Sequence, residues 1–151
     1  MSAKKRPNKT LRRPARPTLA PKAAERSATP SEDAKRIALA AAQAALDKKA
    51  SGVEILDVTG KVDYADYLVL MTGQNERHVA AIADSVEDVV GKQGWRAISV
   101  EGLPRGQWVL IDFVDVVVHV FQEDTRALYD LDGLWMDARR VRVSDPASGQ
   151  A

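Results

Sequence analysis

Cysteine is absent from this chain, and that single absence removes disulfides, thiolate catalysis and Cys-ligated zinc. It supports a reducing compartment only weakly. Long apolar runs are also missing, since none approaches the roughly 18 residues that a membrane span needs. No short apolar segment follows the basic N-terminus, so no secretory signal is expected. The histidines are only two, His78 and His119. Their surroundings resemble no metal-ligand spacing, and no metal centre is expected.

Catalytic signatures are missing as well. There is no GxSxG to supply a serine nucleophile, and no GxxxxGK[ST] to cradle phosphates. A nucleotidyltransferase needs an Asp-x-Asp on a strand to hold its metals. The chain has that spacing at Asp130-x-Asp132, in a C-terminal turn. No catalytic residue and no cofactor are expected, and the chain reads as a non-enzyme.

What is present is charge, unevenly placed. Residues 1–30 carry nine basic side chains and one acid, Glu25, which leaves 13 basic and 20 acidic groups in the rest of the 151-residue chain. An acidic body therefore carries a basic arm. The arm also holds Pro7, Pro14, Pro17, Pro21 and Pro30. It has too little apolar surface to offset its ordering entropy, so residues 1–28 are expected to be disordered. Lys and Arg displace counterions from phosphates, which makes ribosomal RNA one partner for this arm; a solubilising tail is the plain alternative. A transit peptide is disfavoured by the prolines.

The body reads as one domain over residues 29–138, followed by a flexible tail over 139–151. Thr29-Pro30-Ser31-Glu32 fits a capping box with proline in the first helical position. The helix runs to about Lys49, lined by Ile37, Ala41, Ala44 and Ala45, with Gly52 as its stop. Val53–Val58 is a strand. Tyr67–Met71 is a continuous apolar run, which suits a strand buried on both faces. Asn75 caps a second helix, Glu76–Lys92, with Val79, Ile82, Ala83, Val86 and Val90 at helical spacing. Arg96–Val100 is a third strand. Trp108–Ile111 and Val116–Phe121 form a hairpin closed by Asp112–Asp115. A short helix, Glu123–Tyr129, precedes a turn carrying Leu131, Leu134 and Trp135. The pattern predicts an α/β fold, a mixed and mostly five-stranded sheet flanked by helices, with a βαβ crossover around the second helix.

The turn Thr72–His78 leads from a buried strand into a helix N-terminus, where unpaired N–H groups can hold an anion. His78 is expected to hydrogen-bond the loop before it. His119, inside a buried strand, reads either as a satisfied core residue or as a binding residue on an exposed sheet face. Asp112 and Asp115 are ordinary hairpin residues. Trp108, Tyr129 and Trp135 near acidic groups suit a protein–protein hot spot, and core packing competes equally for each.

Several stretches together carry a more specific signal. They are Asp66-Tyr67 into Thr72-Gly73, Arg77-His78-Val79, Ile82-Ala83-Asp84 and Val100-Glu101-Gly102. Further on come Trp108–Asp112, the run Asp115–Phe121, and Arg126 with Leu128-Tyr129, Leu131 and Leu134-Trp135. In this order the chain resembles the ribosomal silencing factor family (RsfS, also called iojap) over residues 34–137. The resemblance implies a nucleotidyltransferase-like mixed sheet without the catalytic acids. It implies a cytoplasmic protein that binds ribosomal protein fourteen of the large ribosomal subunit. The bound factor would keep the small subunit from joining and so repress translation. The implied partner patch is Trp108, Asp112, Asp115, His119, Tyr129, Leu131 and Trp135. A role in large-subunit assembly, a nucleotide-dependent enzyme, and a homodimer stay open as alternatives. One departure stands out: Val114 lies where the family usually has glycine between the hairpin acids. A β-branched residue resists positive φ, so another turn type is expected there.

Overall fold

A computed structural model of the chain describes residues 31–102 and 107–143. The basic arm and the cap proposed at Thr29 lie outside them. Helix α1, Glu32–Asp47, is capped by Ser31 instead, whose backbone is extended and whose side chain accepts from the Ala34 N–H at 2.9 Å. That is the geometry an N-cap requires. Glu32 and Asp33 then sit in the first turn, where the helix dipole favours acids.

The helix stops before Gly52. Lys49 turns left-handed, with φ 64°, and the N–H groups of Lys48, Lys49 and Ala50 bond back to the carbonyls of Ala45 and Leu46. Gly52 lies inside strand β1, Ser51–Asp57, at φ 57°. There the pairing register slips between Ser51 and Glu54, so the glycine serves a strand irregularity and not a helix end. Strand β2, Tyr67–Gly73, is buried along its whole length, as its apolar run implies. Helix α2, Glu76–Lys92, follows, with the Asn75 side chain capping the His78 N–H. The chain then crosses to β3, Ser99–Gly102, which starts three residues later than expected. Strands β4, Trp108–Asp112, and β5, Val116–Gln122, form the hairpin. Two short helices, α3 at Glu123–Tyr129 and α4 at Leu131–Leu134, lead to β6, Arg139–Val141.

The sheet has six strands in the order β3-β4-β5-β2-β1-β6. Strands β2 and β5 are parallel neighbours, and the other pairs are antiparallel. Strand β3 therefore runs parallel to β2 but three positions away, so β2-α2-β3 is the expected crossover. The hairpin of β4 and β5 fills the gap it leaves. The sixth strand corrects the expected count of five and moves the ordered body past residue 138. Arg139–Val141, read as the start of a tail, pairs with Asp57–Ile55 of β1. Backbone pairing holds this polar segment, with Arg140 reaching Glu54 at 3.0 Å.

Alternation along the strands sorts side chains to two faces. Val69 and Met71 of β2 and Val116, Val118 and Val120 of β5 face α1 and α2. The alanines of α1 bring it close both to this face and to α2, which is why they are small. Leu68 and Leu70, Trp108 and Leu110, and Val117 and Phe121 point to the opposite face. There the cover is thin. It consists of Val58, Ala65 and partly buried Val62 and Tyr64 from the β1–β2 connection, with Leu131, Trp135 and Ala138 from the C-terminal segment.

Candidate partner-binding face

On the thinly covered face the sheet ends in a small aromatic pocket of about 190 Å³. Its walls are Tyr64, Leu68, Trp108, His119, Tyr129, Leu131, Leu134 and Trp135. Strand pairing builds its floor. Trp108 lies opposite Phe121, and Leu110 opposite His119, so period-two alternation puts Trp108, His119 and Phe121 on one face. The Trp108 ring centroid lies 5.3 Å from that of Phe121 and 4.8 Å from that of Tyr129. His119 stacks on Phe121 at 5.8 Å with 13° between the planes. These separations are those of favourable offset aromatic pairs.

The Trp108 indole N–H donates to Nδ1 of His119 at 3.1 Å. Nδ1 is therefore the acceptor, and the ring hydrogen of the neutral imidazole sits on Nε2. His119 is only 3% exposed and Trp108 5%. The core reading offered for the histidine fits: it is a bonded, buried residue whose edge forms part of the pocket wall.

Around the pocket the C-terminal segment leaves apolar side chains in solvent. Leu128 is 75% exposed, Leu134 64% and Met136 72%, with Tyr129 at 44%. Arg126 holds this segment in place. Its guanidinium makes a two-point contact with Asp132, Nε to Oδ2 at 2.9 Å and Nη2 to Oδ1 at 2.8 Å. Its Nη1 donates to the Gly52 carbonyl at 2.7 Å and to Thr72 Oγ1 at 2.8 Å. One cation thereby ties the segment to the β1 irregularity and to the end of β2. The Arg126 hydrogen bonds hold the Asp132 carboxyl below the usual carboxylate range, against the opposing effect of its partial burial. The acids of the Asp130-x-Asp132 spacing are both accounted for: Asp130 caps α4 by accepting from the Gly133 N–H at 3.1 Å.

Of the seven residues proposed from sequence, Trp108, His119, Tyr129, Leu131 and Trp135 meet here. Asp112 and Asp115 do not line the pocket. Asp112 is four residues along β4 from Trp108, about 13 Å at strand rise, and its Oδ1 accepts the Val114 N–H at 2.8 Å. The Asp115 carbonyl accepts from Asp66 and Tyr67. Both acids belong to the hairpin end. Sequence reasoning passed over Tyr64 and Leu68, which carry no local signal. It also gave no role to Arg126, although that residue lay within the family pattern.

The Thr72–His78 turn is occupied by its own side chains. His78 Nδ1 accepts from the Gln74 N–H at 2.9 Å, the loop bond anticipated for it, and Nε2 lies 2.7 Å from the Lys48 carbonyl. A Cβ on Gly73 would fall 2.9 Å from Val79 Cγ2. The glycine thus lets α2 approach β2, and anion binding is not needed to explain it.

A six-stranded mixed sheet with both long helices on one face and an aromatic pocket on the other defines a small α/β domain. Its exposed chemistry is apolar and aromatic. The sequence model of the family described as "ribosomal silencing factor during starvation" (RsfS) matches residues 31–151. This chain belongs to that family. It is 43% identical over 97 residues to the ribosomal silencing factor RsfS of Halalkalibacterium halodurans, covering 64% of this chain and 83% of the relative. It is 40% identical over 104 residues to that of Bacillus subtilis, covering 69% and 88%. Among solved structures, a Chromobacterium violaceum protein superposes with TM-score 0.66 at 31% identity, covering 73% of this chain and 91% of the other.

Proposed function

We propose that this chain represses translation by binding ribosomal protein fourteen of the large subunit through its aromatic face, so that the small subunit cannot join. The observation that carries the reading is the pocket with its rim. Leu128, Leu134 and Met136 stand in solvent beside an aromatic cleft. Exposed apolar patches of this kind mark interaction sites, and aromatic anchors dominate the energetics of such sites. Membership of the ribosomal silencing factor family supports a partner on the ribosome. The action is stoichiometric and needs no catalysis, cofactor or metal. It takes place in the cytoplasm, where subunits join.

The test is subunit joining on sucrose gradients with purified large and small subunits. The full chain should deplete the joined ribosome. Trp135→Ala, at an anchor, should weaken large-subunit binding by about 2 kcal/mol, with a smaller fall in the thermal midpoint because Trp135 packs, partly buried, against this face. Retention of full inhibition by a folded Trp135→Ala, Leu134→Glu double variant would remove this face from the mechanism.

A further inference from the structure

A second concave surface lies on the helix side of the molecule, away from the aromatic pocket. It is a groove of about 730 Å³ between α1 and the end of β6. Lys35 and Arg36 stand on one bank and Arg142 on the other, with Leu39, Val141 and Val143 among the residues between. No carboxylate lines it. That is notable on a body whose residues 31–151 carry 13 basic against 20 acidic groups. Lys35, Arg36 and Arg142 are exposed, and none of the three forms an ion pair among the described residues. Lys61, Lys92, Arg126 and Arg140 each hold an acid. Lys48, Lys49, Arg77, Arg96 and Arg139 form no ion pair among the described residues either, but none of them lines the groove.

We propose that this groove is a binding site for the phosphate backbone of RNA. The reading goes beyond the ribosomal-protein contact and does not depend on it. Three unpaired cations on two banks of a concave channel match a row of phosphates, and neutralising phosphates releases their counterions. The groove follows α1 from Lys35 to Gln43, about 12 Å of helix axis. No aromatic side chain lines it, so bases have no platform to stack on. Recognition is therefore of backbone and charge, without sequence preference. A membrane surface fits less well, because Leu39 is the one exposed large apolar side chain in the groove, and insertion into a membrane interface needs a broad apolar face.

The test uses the full chain and a synthetic single-stranded RNA, with affinity measured across a salt series. Replacing Lys35, Arg36 and Arg142 together by glutamine should lower the slope of log affinity against log salt by about 2. The single change Arg142→Gln should lower it by about 0.7 and covers the case of a triple variant that fails to fold. Lys48→Gln with Lys92→Gln, outside the groove, should leave the slope unchanged. Because the basic arm is present in every variant, its contribution cancels. An unchanged slope in the groove variants, or an equal fall in the control, would overturn the site. So would groove-dependent binding of phosphatidylserine vesicles or polyglutamate as tight as that of RNA.

Discussion

The two faces of the sheet are built from different residues, and the contrast explains what each is for. The face under α1 and α2 is packed mainly with Ala, Val, Ile and Met. These side chains hydrogen-bond to nothing and interlock at crystal-like density. The other face carries Trp108, Phe121, His119, Tyr64 and Trp135 under two short helices and a connection. Its aromatics are larger, partly open and polar at their edges. The first face makes the fold; the second makes a surface while contributing to the fold. Substitutions should therefore separate stability from binding on the first face and couple them on the second.

The sharpest test is Ile82→Ala. Ile82 is fully buried on α2 against the sheet. Its truncation should destabilise the protein by about 2–5 kcal/mol, read by chemical denaturation. Any variant that remains folded should bind large subunits normally. Selective loss of binding at unchanged stability would end the division between the faces.

Arg126→Ala comes next, because this cation joins the two faces at the sheet end. It removes bonds to Asp132, Gly52 and Thr72. Hydrogen bonds to a charged group contribute about 1.5–3 kcal/mol each when buried. Asp132 is 37% exposed, which reduces the pair's share. A total loss of about 2–3 kcal/mol is expected, with hydrogen exchange accelerated first in residues 123–135. Uniform acceleration across the sheet would mean that Arg126 is not a local clamp.

The same pair sets a smaller pH effect. Asp132 has a folded-state pKa lowered by Arg126. A lowered carboxylate contributes stability above its unfolded value, about 3.9, and loses it as pH falls through the folded value. Arg126→Ala should therefore flatten the stability profile below about pH 4 and leave its shape near neutrality unchanged. Identical acid limbs for the parent and the variant would show that the pair has no such linkage.

Much of the helix-bearing face was legible in the sequence. The unbroken run Tyr67–Met71 announced a strand buried on both sides, and Asn75 with the spacing of Val79, Ile82 and Val86 marked α2 to the residue. Strand β6 was not legible. Arg139-Arg140-Val141 is short and has two exposed arginines, so only the β1 edge beside it makes it a strand. At the site, Trp108, His119 and Phe121 meet because of strand register, which a hairpin reading could reach. Tyr64 and Leu68 arrive from elsewhere in the chain, through a contact with no local signature. Asp112 and Asp115, expected as polar neighbours of Trp108, lie at the hairpin end and not at the pocket, because strand rise carries them away from Trp108.

The smallest effect concerns the hairpin end, where Val114 adopts φ 78°. The β-branched side chain does not keep Val114 out of positive φ, which it was expected to resist. The Asp115 N–H bonds to the Phe113 carbonyl at 3.0 Å, closing a γ-turn across Val114, a rare form when φ is positive. The Val114 N–H is held by Asp112 Oδ1, and the Phe113 N–H by the Val116 carbonyl at 2.8 Å. These bonds fix the turn against the residue's own preference. A left-handed backbone costs an L-residue about 1–2 kcal/mol. Glycine removes that cost but loses about 0.5–1 kcal/mol more chain entropy on folding. Val114→Gly should thus stabilise the protein by up to about 1 kcal/mol, a rise of about 2–4 °C in Tm. Asp112→Ala should act in the opposite direction by about 1 kcal/mol, because it frees the Val114 N–H. Neither should alter large-subunit binding, since this end of the hairpin lies along the sheet from the pocket. A lower Tm for Val114→Gly would mean that the valine's half-buried side chain outweighs the strain. A loss of binding in a folded Asp112→Ala would return the hairpin acids to the partner surface and move the boundary between the two faces.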